Sequence, residues 1–175
     1  YVPTTVTIDK SKAVGEIPIQ TGVSPTGAKT YTVPIQVYPG INGFEPQLSL
    51  AYNSQQGNGI VGIGWGIGGV QSIMRTSRNI YYDGKPQGAL RTKADAFVLD
   101  GMRLIKISEN ATTINYESEQ GNIKVKAFLS GDVVKYFEVF YPNGTKGIFG
   151  YASNTSNKIF YSIVSLSDLR NNQIL

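Results

Sequence analysis

The sequence contains no cysteine and no histidine in 175 residues. Disulfide bonds, thiolate nucleophiles and metal sites built on cysteine or histidine ligands are therefore excluded for this chain. Histidine acid–base catalysis is excluded as well, and with it a Ser-His-Asp triad. We expect no catalytic residue, no metal site and no bound cofactor.

Charge and long hydrophobic runs are also scarce. Charged residues make up 16% of the chain, below the usual proportion of about a quarter. No apolar run approaches the ~20 residues that a membrane-spanning helix requires. Seven basic residues from Arg75 to Lys106, against three aspartates, account for the net charge of +4. We expect these charges to be scattered over the surface rather than to form a nucleic-acid-binding face.

Aromatic residues, glycine and proline are abundant, with 11 tyrosines, 7 phenylalanines, 20 glycines and 8 prolines. This composition favours β structure with many turns. Apolar and polar residues alternate in 31–37, 47–53 and 123–127, as in strands with one buried face. The run 136–141 is apolar at both sets of positions and predicts a strand between two layers. The sequence predicts an all-β fold of antiparallel twisted sheets with hairpins, sandwich- or shell-like, with little or no helix.

Turn signals separate these runs. Asp100-Gly101 lies between two apolar segments and predicts a two-residue type I′ hairpin, and Asn143-Gly144 predicts a second hairpin. Pro34 cannot donate to a sheet ladder and predicts an edge position or a bulge. The segment 158–169 is compatible with a helix, but its β-branched and aromatic residues favour a strand.

Two regions follow from this pattern. Residues 1–28, rich in Thr, Gly, Ser and Pro, predict a lead-in segment with short strands. Residues 29–175 predict a β-rich module, which we expect to be part of a longer chain. The chain begins at Tyr1 rather than methionine, and we expect it to be a cut product; removal of a signal peptide is one route to such a start.

The stretch GNGIVGIGWGIGG at 57–69 opens with G-x-G-x-x-G, the fingerprint of a dinucleotide-binding loop. That loop must open a helix, and each further glycine would lower helix stability by about 0.8–1.0 kcal/mol relative to alanine. Asp83 is only a loose candidate for the acidic residue that contacts the ribose. A nucleotide site is therefore disfavoured.

An extended conformation explains the glycine spacing better. If 61–68 is one strand, Val61, Ile63, Trp65 and Ile67 share one face and four glycines share the other. Bare backbone permits close approach of another element. We therefore expect a second β layer to pack against the glycine face.

The segment YTVPIQVYPGINGFEPQLSLAYNSQQGNGIVGIGWGIGGVQSIMR at 31–75 resembles the opening signature of the Salmonella virulence plasmid B protein N-terminal domain. That domain also begins the B component of insecticidal toxin complexes and many Rhs/YD-repeat proteins. DAFVLDGMRLI at 95–105 and YFEVFYPNGTKGIFG at 136–150 are similar to later family segments. Tyr161 stands where the family usually has tryptophan, and Asn171 stands where it has a turn glycine.

The positions that carry the resemblance are expected to be structural rather than catalytic. They are Pro34, Pro39, Gly40, Pro46, Leu48, Leu50, Tyr52, Asn53, Gly57, Gly59, Gly62, Gly64, Trp65, Arg75, Asp100 and Gly101.

The resemblance implies a non-catalytic structural module of a secreted or cell-surface protein of the toxin-complex or Rhs type. Such modules contribute to a β-shell that encloses or presents a C-terminal effector. The expected partners are other β segments of the same large polypeptide or toxin-complex subunits, with no nucleic acid and no membrane-spanning segment. The alternative is an extracellular carbohydrate- or protein-binding β module.

Two further clusters suggest chemistry without establishing it. Glu117-Ser118-Glu119 spells the Glu-x-Glu of ADP-ribosyltransferases, but the run leads into a turn, and we expect both carboxylates to be solvated. Asp168, Asn171 and Asn172 supply oxygen atoms that suit Ca²⁺, yet a hairpin turn is the better interpretation.

Overall fold

The computed structural model describes residues 18–38, 40–41, 44–170 and 172–174. They belong to two units, one formed by Tyr1–Gln36 and Gln47–Gly68 and the other by Val37–Pro46 and Gly69–Leu175. We call the first the small sheet and the second the barrel unit. Every strand pairing among the described residues is antiparallel, which confirms the all-β prediction.

The small sheet is built from six short strands. In chain order they are β1 (Gln20–Val23), β2 (Lys29–Pro34), β3 (Ser49–Asn53), β4 (Asn58–Gly59), β5 (Gly62–Ile63) and β6 (Trp65–Gly68). Four of them pair in the order β1-β2-β3-β6, and β4 and β5 form a separate hairpin.

Strand register gives the small sheet one apolar face. Tyr52 pairs with both Tyr31 and Trp65, and Leu50, two residues earlier, pairs with both neighbouring strands. Residues two apart on a strand point to the same side. The apolar face of the small sheet therefore consists of Tyr31, Val33, Leu50, Tyr52, Trp65 and Ile67.

Pro34 is the last residue of β2, where it pairs with Ser49 of β3. The pairing of β2 with β1 has already ended at Thr32. The amide of Ile35 donates to Leu48 across the β3 side, so the proline nitrogen faces the side on which β1 has ended. Although β2 is a central strand, its β1 side is unpaired at Pro34 among the described residues. The predicted edge position is therefore confirmed locally, and the β2–β3 register shows no bulge there.

The barrel unit is a closed antiparallel sheet of eight strands. They are β7 (Ser72–Thr76), β8 (Ala96–Leu99), β9 (Met102–Glu109), β10 (Thr113–Ser118), β11 (Lys124–Ser130), β12 (Val133–Phe140), β13 (Lys146–Gly150) and β14 (Phe160–Ser167). Each strand pairs with the next, and β14 also pairs with β7, which closes the sheet. A short helix, α1 (Ile80–Asp83), follows β7, and β15 (Gln173–Ile174) pairs with the far end of β14.

The closed sheet encloses the hydrophobic core. Inward and outward positions alternate along its strands, as in β11, where Val125, Ala127 and Leu129 are buried. Fifteen buried residues from the barrel strands and their connections form one cluster: Ile73, Phe97, Leu99, Leu104, Ile114, Tyr116, Ile123, Val125, Ala127, Leu129, Val134, Phe137, Val139, Phe149 and Tyr161.

The strand β12 does not lie between two layers. Phe137 and Val139 face the core, whereas Phe140 is 42% exposed. Tyr136 stacks on Phe128 of β11, with ring centroids 4.4 Å apart, outside the core cluster. The two-layer prediction is wrong because aromatic side chains also cover each other across strands on the outer face of a sheet.

Local turn chemistry behaves as expected. Asp100 and Gly101 have φ values of 48° and 84°, the two positive values that a type I′ turn requires, and they join β8 to β9. Gly144 has φ 81° in the turn that joins β12 to β13. The strand prediction for 158–169 is also confirmed by β14.

The predicted lead-in segment falls only partly within the described residues. Residues 1–17 lie outside them, and β1 pairs directly with β2 of the predicted module. The boundary at residue 28 stays a prediction.

Candidate functional site

Arg75, on β7, is the most extensively bonded side chain of the barrel unit. Its guanidinium is fully buried and lies 2.8 Å from the carboxylate of Asp95. It also donates to the side-chain oxygen of Asn157 at 2.7 Å and to the carbonyl of Lys158 at 2.5 Å. A further hydrogen bond goes to the carbonyl of Thr92. One arginine thus ties together three segments that are distant in sequence.

Asp95 completes this centre from the loop that precedes β8. Its oxygens accept the backbone amides of Leu90 at 3.1 Å and Thr92 at 3.0 Å, in addition to Arg75. The aromatic ring of Phe97 lies 4.8 Å from the guanidinium carbon of Arg75. Every charge of the pair is therefore matched by donors or acceptors, as a buried ion pair requires.

Tyr161, on β14, links the same centre to the core. Its hydroxyl donates to the carbonyl of Val134 at 2.9 Å and accepts from Arg75 at 3.4 Å. Its ring packs edge-to-face on Phe137, with centroids 4.9 Å apart. The side chain is smaller than the tryptophan usual in the resembled family, but its hydroxyl adds one hydrogen bond from Arg75 and one to Val134.

A second arginine, Arg103, pairs with the end of α1. Its guanidinium donates to Asp83 at 2.5 Å and to the carbonyl of Ser77 at 3.1 Å. Asn79 caps the first turn of α1 by accepting the amide of Tyr82 at 2.9 Å. Sequence reasoning missed this turn, although an asparagine cap followed by Asp83-Gly84 is a recognisable signal. None of the described helical residues forms a helix long and apolar enough to cross a membrane.

The basic residues between Arg75 and Lys106 are mostly ion-paired rather than scattered singly over the surface. Arg75 and Arg103 are buried, so the prediction that the basic residues lie scattered over the surface is wrong for these two. Each is paired with a carboxylate, Arg75 with Asp95 and Arg103 with Asp83. Five of the seven basic residues lie within ion-pair distance of acidic ones: Arg75, Arg78, Lys93, Arg103 and Lys106.

A cleft of about 350 Å³ lies beside Arg103. Its polar lining comes from residues of β9, β10, α1 and the adjoining loops. They include Arg78, Asp83, Lys93, Arg103, Lys106 and Tyr116.

The Glu-x-Glu residues lie at the end of β10 and beyond it. Glu117 pairs with Ile105 and Lys124 on the neighbouring strands. The carboxylate of Glu119 accepts the hydroxyl of Tyr82, and this hydrogen bond raises the pKa of Tyr82 above its ordinary value. Glu119 therefore holds the turn of α1 against β10. The absence of a catalytic role stays a prediction.

The carboxylate of Asp168 forms hydrogen bonds within the turn between β14 and β15. It accepts the backbone amides of Arg170 and Asn172 at 2.8 and 2.9 Å, and the side-chain amide of Asn172 at 2.8 Å. The hydrogen bonds from Asn172 lower the pKa of Asp168. Asn171 lies outside the described residues. The three hydrogen bonds accepted by Asp168 support the turn interpretation, and the absence of a metal site stays a prediction.

The glycine-rich stretch is not a single strand. Asn58 pairs with Ile63 and Gly59 with Gly62, so 58–63 folds back on itself as the hairpin of β4 and β5. Gly64 then adopts φ 77°, and only beyond it does the chain enter β6. The prediction of one strand over 61–68 is wrong, because a left-handed residue interrupts an extended chain.

Two glycines in this stretch have a specific steric reason. A Cβ atom at Gly64 would lie 2.5 Å from the ring of Tyr52, and one at Gly59 would lie 1.8 Å from the carbonyl oxygen of Trp65. The glycines thus permit a tight turn against the chain's own aromatic residues.

The predicted β layer on the glycine face is not found among the described residues and stays a prediction. A Cβ atom at Gly66 would approach only the side-chain nitrogen of Gln56, at 3.8 Å, and one at Gly68 would meet the hydroxyl of Ser49. No second sheet covers these two glycines in the described part of the chain.

The signature positions fall into both units. In the small sheet lie Pro34, Leu48, Leu50, Tyr52, Asn53, Gly57, Gly59, Gly62, Gly64 and Trp65. In the barrel unit lie Gly40, Pro46, Arg75, Asp100 and Gly101. Pro39 lies outside the described residues. Gly40 and Pro46 line a second cleft of about 340 Å³ together with β15, whereas Asp100 bonds the amide of Ser72 at 2.7 Å. The family resemblance marked Arg75, and it also covered its partners Asp95 and Tyr161. The partners Thr92, Asn157 and Lys158 carried no sequence signal.

A family model described as Salmonella virulence plasmid 65kDa B protein matches residues 23–168. The chain belongs to this family. The virulence plasmid B match includes β2 through β14 in full, and therefore both the apolar face of the small sheet and the Arg75 centre. No curated protein sequence matches the chain significantly.

A solved structure has a fold similar to that of this virulence plasmid B family member. It is described as the crystal structure of TcdB2-TccC3, and the comparison gives a TM-score of 0.72 at 18% sequence identity. The match covers 99% of this chain but 9% of the TcdB2-TccC3 chain. The likeness shows that the fold described above occurs as a small portion of a much longer polypeptide.

Proposed function

We propose that the chain is a non-catalytic structural module of a toxin-complex or Rhs-type exported protein. In this function it contributes part of a β-shell that encloses or presents a C-terminal effector. Its partners are other β segments of the same polypeptide or toxin-complex subunits.

The apolar face of the small sheet carries this proposal. Its tyrosine rings lie in one row with Trp65, with centroids 5.7 Å and 5.2 Å apart. Ile67 on the same face is 41% exposed, and none of the six side chains is fully buried. Removing apolar surface from water is favourable by a free energy of about 25 cal/mol per Å². A sheet with such a face is suited to receive further β structure.

The strand edges support the same function. Among the described residues β1 and β6 each pair on one side only within the four-stranded sheet. An edge strand offers unpaired backbone groups to an additional strand. Together, the open edges and the half-buried face fit a sheet that larger β structure extends.

The comparisons support the toxin-complex assignment. Family membership suggests a role in virulence, and the similar fold lies within a chain described as TcdB2-TccC3. A small share of a very long chain is the size expected of one module in a shell. Export to the cell surface or outside the cell follows from the same proposal.

Single-cysteine labelling tests whether the apolar face is covered in the intact polypeptide. The chain has no cysteine of its own, so Ile67→Cys introduces one reporter on the apolar face. We expect maleimide to label it readily in the isolated 175-residue chain and much more slowly in the intact polypeptide, with any cysteines elsewhere replaced.

Thr32→Cys is the matched control, because Thr32 lies on the opposite face of the same sheet. Its labelling rate should change less between the two contexts. Equal labelling of Ile67→Cys in both contexts would contradict the shell proposal.

The non-catalytic part of the proposal has a separate test. Incubation of the chain with NAD and a mixture of target proteins should give no ADP-ribosylation. An activity that Glu119→Ala abolishes would overturn this part, since Glu119 would then act in catalysis rather than hold Tyr82.

A further inference from the structure

The cleft beside Arg103 is positively charged. Four basic and two acidic side chains line it, which leaves a net charge of +2 on its walls. Asp83 is engaged by Arg103, and Asp95 is engaged by Arg75. Each basic group also lies within ion-pair distance of a carboxylate, Arg78 and Arg103 of Asp83 and the two lysines of Glu109. The excess of +2 therefore counts the lining residues alone.

Three polar atoms at this cleft are buried without a hydrogen-bond partner in the described part of the chain. They are the Nε atoms of Arg78 and Arg103 and the hydroxyl of Tyr116, and all three residues line the cleft. Tyr116 is 4% exposed and Arg103 is 8% exposed. Buried donors normally have partners, and an unsatisfied one points to a missing ligand or water.

All three atoms belong to residues that line this one cleft. No other buried side-chain nitrogen or oxygen lacks a partner among the residues that the structure describes. Burial raises the pKa of the Tyr116 hydroxyl far above its ordinary value, so this group remains a donor at neutral pH. A ligand that satisfies all three atoms must supply several acceptors and no competing positive charge.

We propose that this cleft binds a phosphate group carried by a small molecule. A phosphate monoester carries about −1.5 to −2 charges at pH 7 and three acceptor oxygens, which matches both the wall charge and the three unpartnered donors. The ammonium groups of Lys93 and Lys106 line the same space, although each also contacts a carboxylate outside it.

The remaining wall suits the organic part of such a ligand. Ala94, Ala96, Leu104 and Ile105 provide apolar surface. The volume of about 350 Å³ lies within the range of about 300–1,000 Å³ typical of small-molecule sites. This binding function is independent of the proposed structural role.

Calorimetric titration of the intact polypeptide tests the proposal. Inorganic phosphate and methyl phosphate are the two probes, with acetate as the carboxylate comparison, all at constant ionic strength. We expect saturable binding of a phosphate probe with a Kd below about 1 mM. Tighter binding of methyl phosphate indicates a phosphorylated organic ligand, and tighter binding of inorganic phosphate indicates the free ion.

Tyr116→Phe is the sharpest variant, since it removes only the hydroxyl. It should weaken phosphate binding about tenfold or more, while the Tm without ligand stays the same or rises because an unsatisfied buried group is gone. Arg78→Gln should weaken binding to a similar extent. Arg91→Gln is the matched control, because Arg91 is an exposed arginine of the same segment that does not line the cleft.

Several results would overturn the phosphate site. They are the absence of saturable phosphate binding, acetate binding as tight as phosphate binding, or equal losses for Arg91→Gln and Arg78→Gln. A lower Tm for Tyr116→Phe with unchanged phosphate binding would mean that the hydroxyl bonds to buried water alone.

Discussion

The small sheet and the barrel unit use the same antiparallel strands but differ in what they bury. The barrel unit closes its sheet through the pairing of β14 with β7 and gathers fifteen buried residues into one cluster. In the small sheet, Ala28 is the only buried hydrophobic residue among those described. Closure turns each inward side chain of the barrel towards other inward side chains, whereas a single open sheet has no opposite wall.

This difference separates stability from association. The barrel unit contains the interactions that stabilise a fold, namely a core and a buried ion pair. The small sheet has instead a half-buried apolar face and two strand edges, to which further β structure can add. The following substitutions test that division, beginning with the largest expected effect.

The ion pair of Arg75 and Asp95 should contribute the largest single effect. Asp95→Ala leaves the guanidinium of Arg75 buried without its counter-charge, and we expect a loss of about 3–5 kcal/mol in the free energy of unfolding. Urea denaturation followed by far-UV circular dichroism measures the loss. Asp132→Ala removes an 82% exposed carboxylate from a surface pair and should have little effect; comparable losses would contradict the assignment.

Leucine truncation compares the two units directly. Leu99→Ala in the barrel core, where Leu99 is 1% exposed, should cost about 2–5 kcal/mol. Leu50→Ala on the half-buried apolar face should cost less, about 1 kcal/mol, because less apolar area is removed from water. The same urea titration serves both variants. A larger loss for Leu50→Ala would show that the small sheet has a core of its own.

Gly64 tests the turn that leads into β6. Gly64→Ala places a side chain at φ 77° and against Tyr52, and the backbone strain alone should cost about 1–2 kcal/mol. Fluorescence of Trp65, the single tryptophan, should shift as its packing on Tyr52 changes. Gly66→Ala is the matched control, since Gly66 has no positive φ and a Cβ atom there would make only an ordinary contact with Gln56, at 3.8 Å. An equal change for both variants would reject the steric reason given for Gly64.

Asp168 should have the smallest effect, and a pH-dependent one. Its pKa is lower in the folded chain than in the unfolded chain, mainly through the side chain of Asn172. The stabilising contribution is therefore complete above the unfolded pKa of about 3.9 and disappears as pH falls through the lower folded value. NMR titration of the carboxyl group measures this directly. Asp168→Asn should remove the corresponding acid-dependent part of stability, and an unshifted carboxyl pKa would disprove the turn's role.

The elements predicted correctly are those governed by neighbouring residues. Asp and Gly both tolerate the positive φ values of a type I′ turn, so the two residues Asp100-Gly101 are enough to predict the β8–β9 hairpin. The β-branched and aromatic residues of 160–167 likewise favour an extended chain. The one-turn helix α1 is the exception. A four-residue element has no apolar periodicity, and its only local signals are the Asn79 cap and the Asp83-Gly84 end.

The incorrect predictions concern which elements face each other. The glycine stretch has a period of two that fits one strand, yet the chain turns at Gly64 because Tyr52 of β3 lies directly beside it. The aromatic residues of β12 looked buried on both faces, but Tyr136 is covered by Phe128 on the outer face. In both cases a neighbouring strand decides the environment.

The Arg75 centre shows the same limit at the candidate site. Arg75 belongs to the recognisable signature, but its partners Asp95 and Asn157 are 20 and 82 positions away. Asp83, considered above as a loose nucleotide contact, is the partner of Arg103. Neither pairing leaves a local pattern, because the side chains meet only once the sheet has closed.

The amino-acid sequence by itself determined the strand character, the type I′ hairpin, the family and the exclusion of cysteine and histidine chemistry. These depend on residue identity and on backbone preferences between neighbours. Tertiary structure alone decided the closure of the barrel, the burial of Arg75, the open apolar face and the three unpartnered donors in one cleft. Those features arise from contacts between residues far apart in the chain, where the gain in burial and hydrogen bonding depends on three-dimensional position rather than on local sequence.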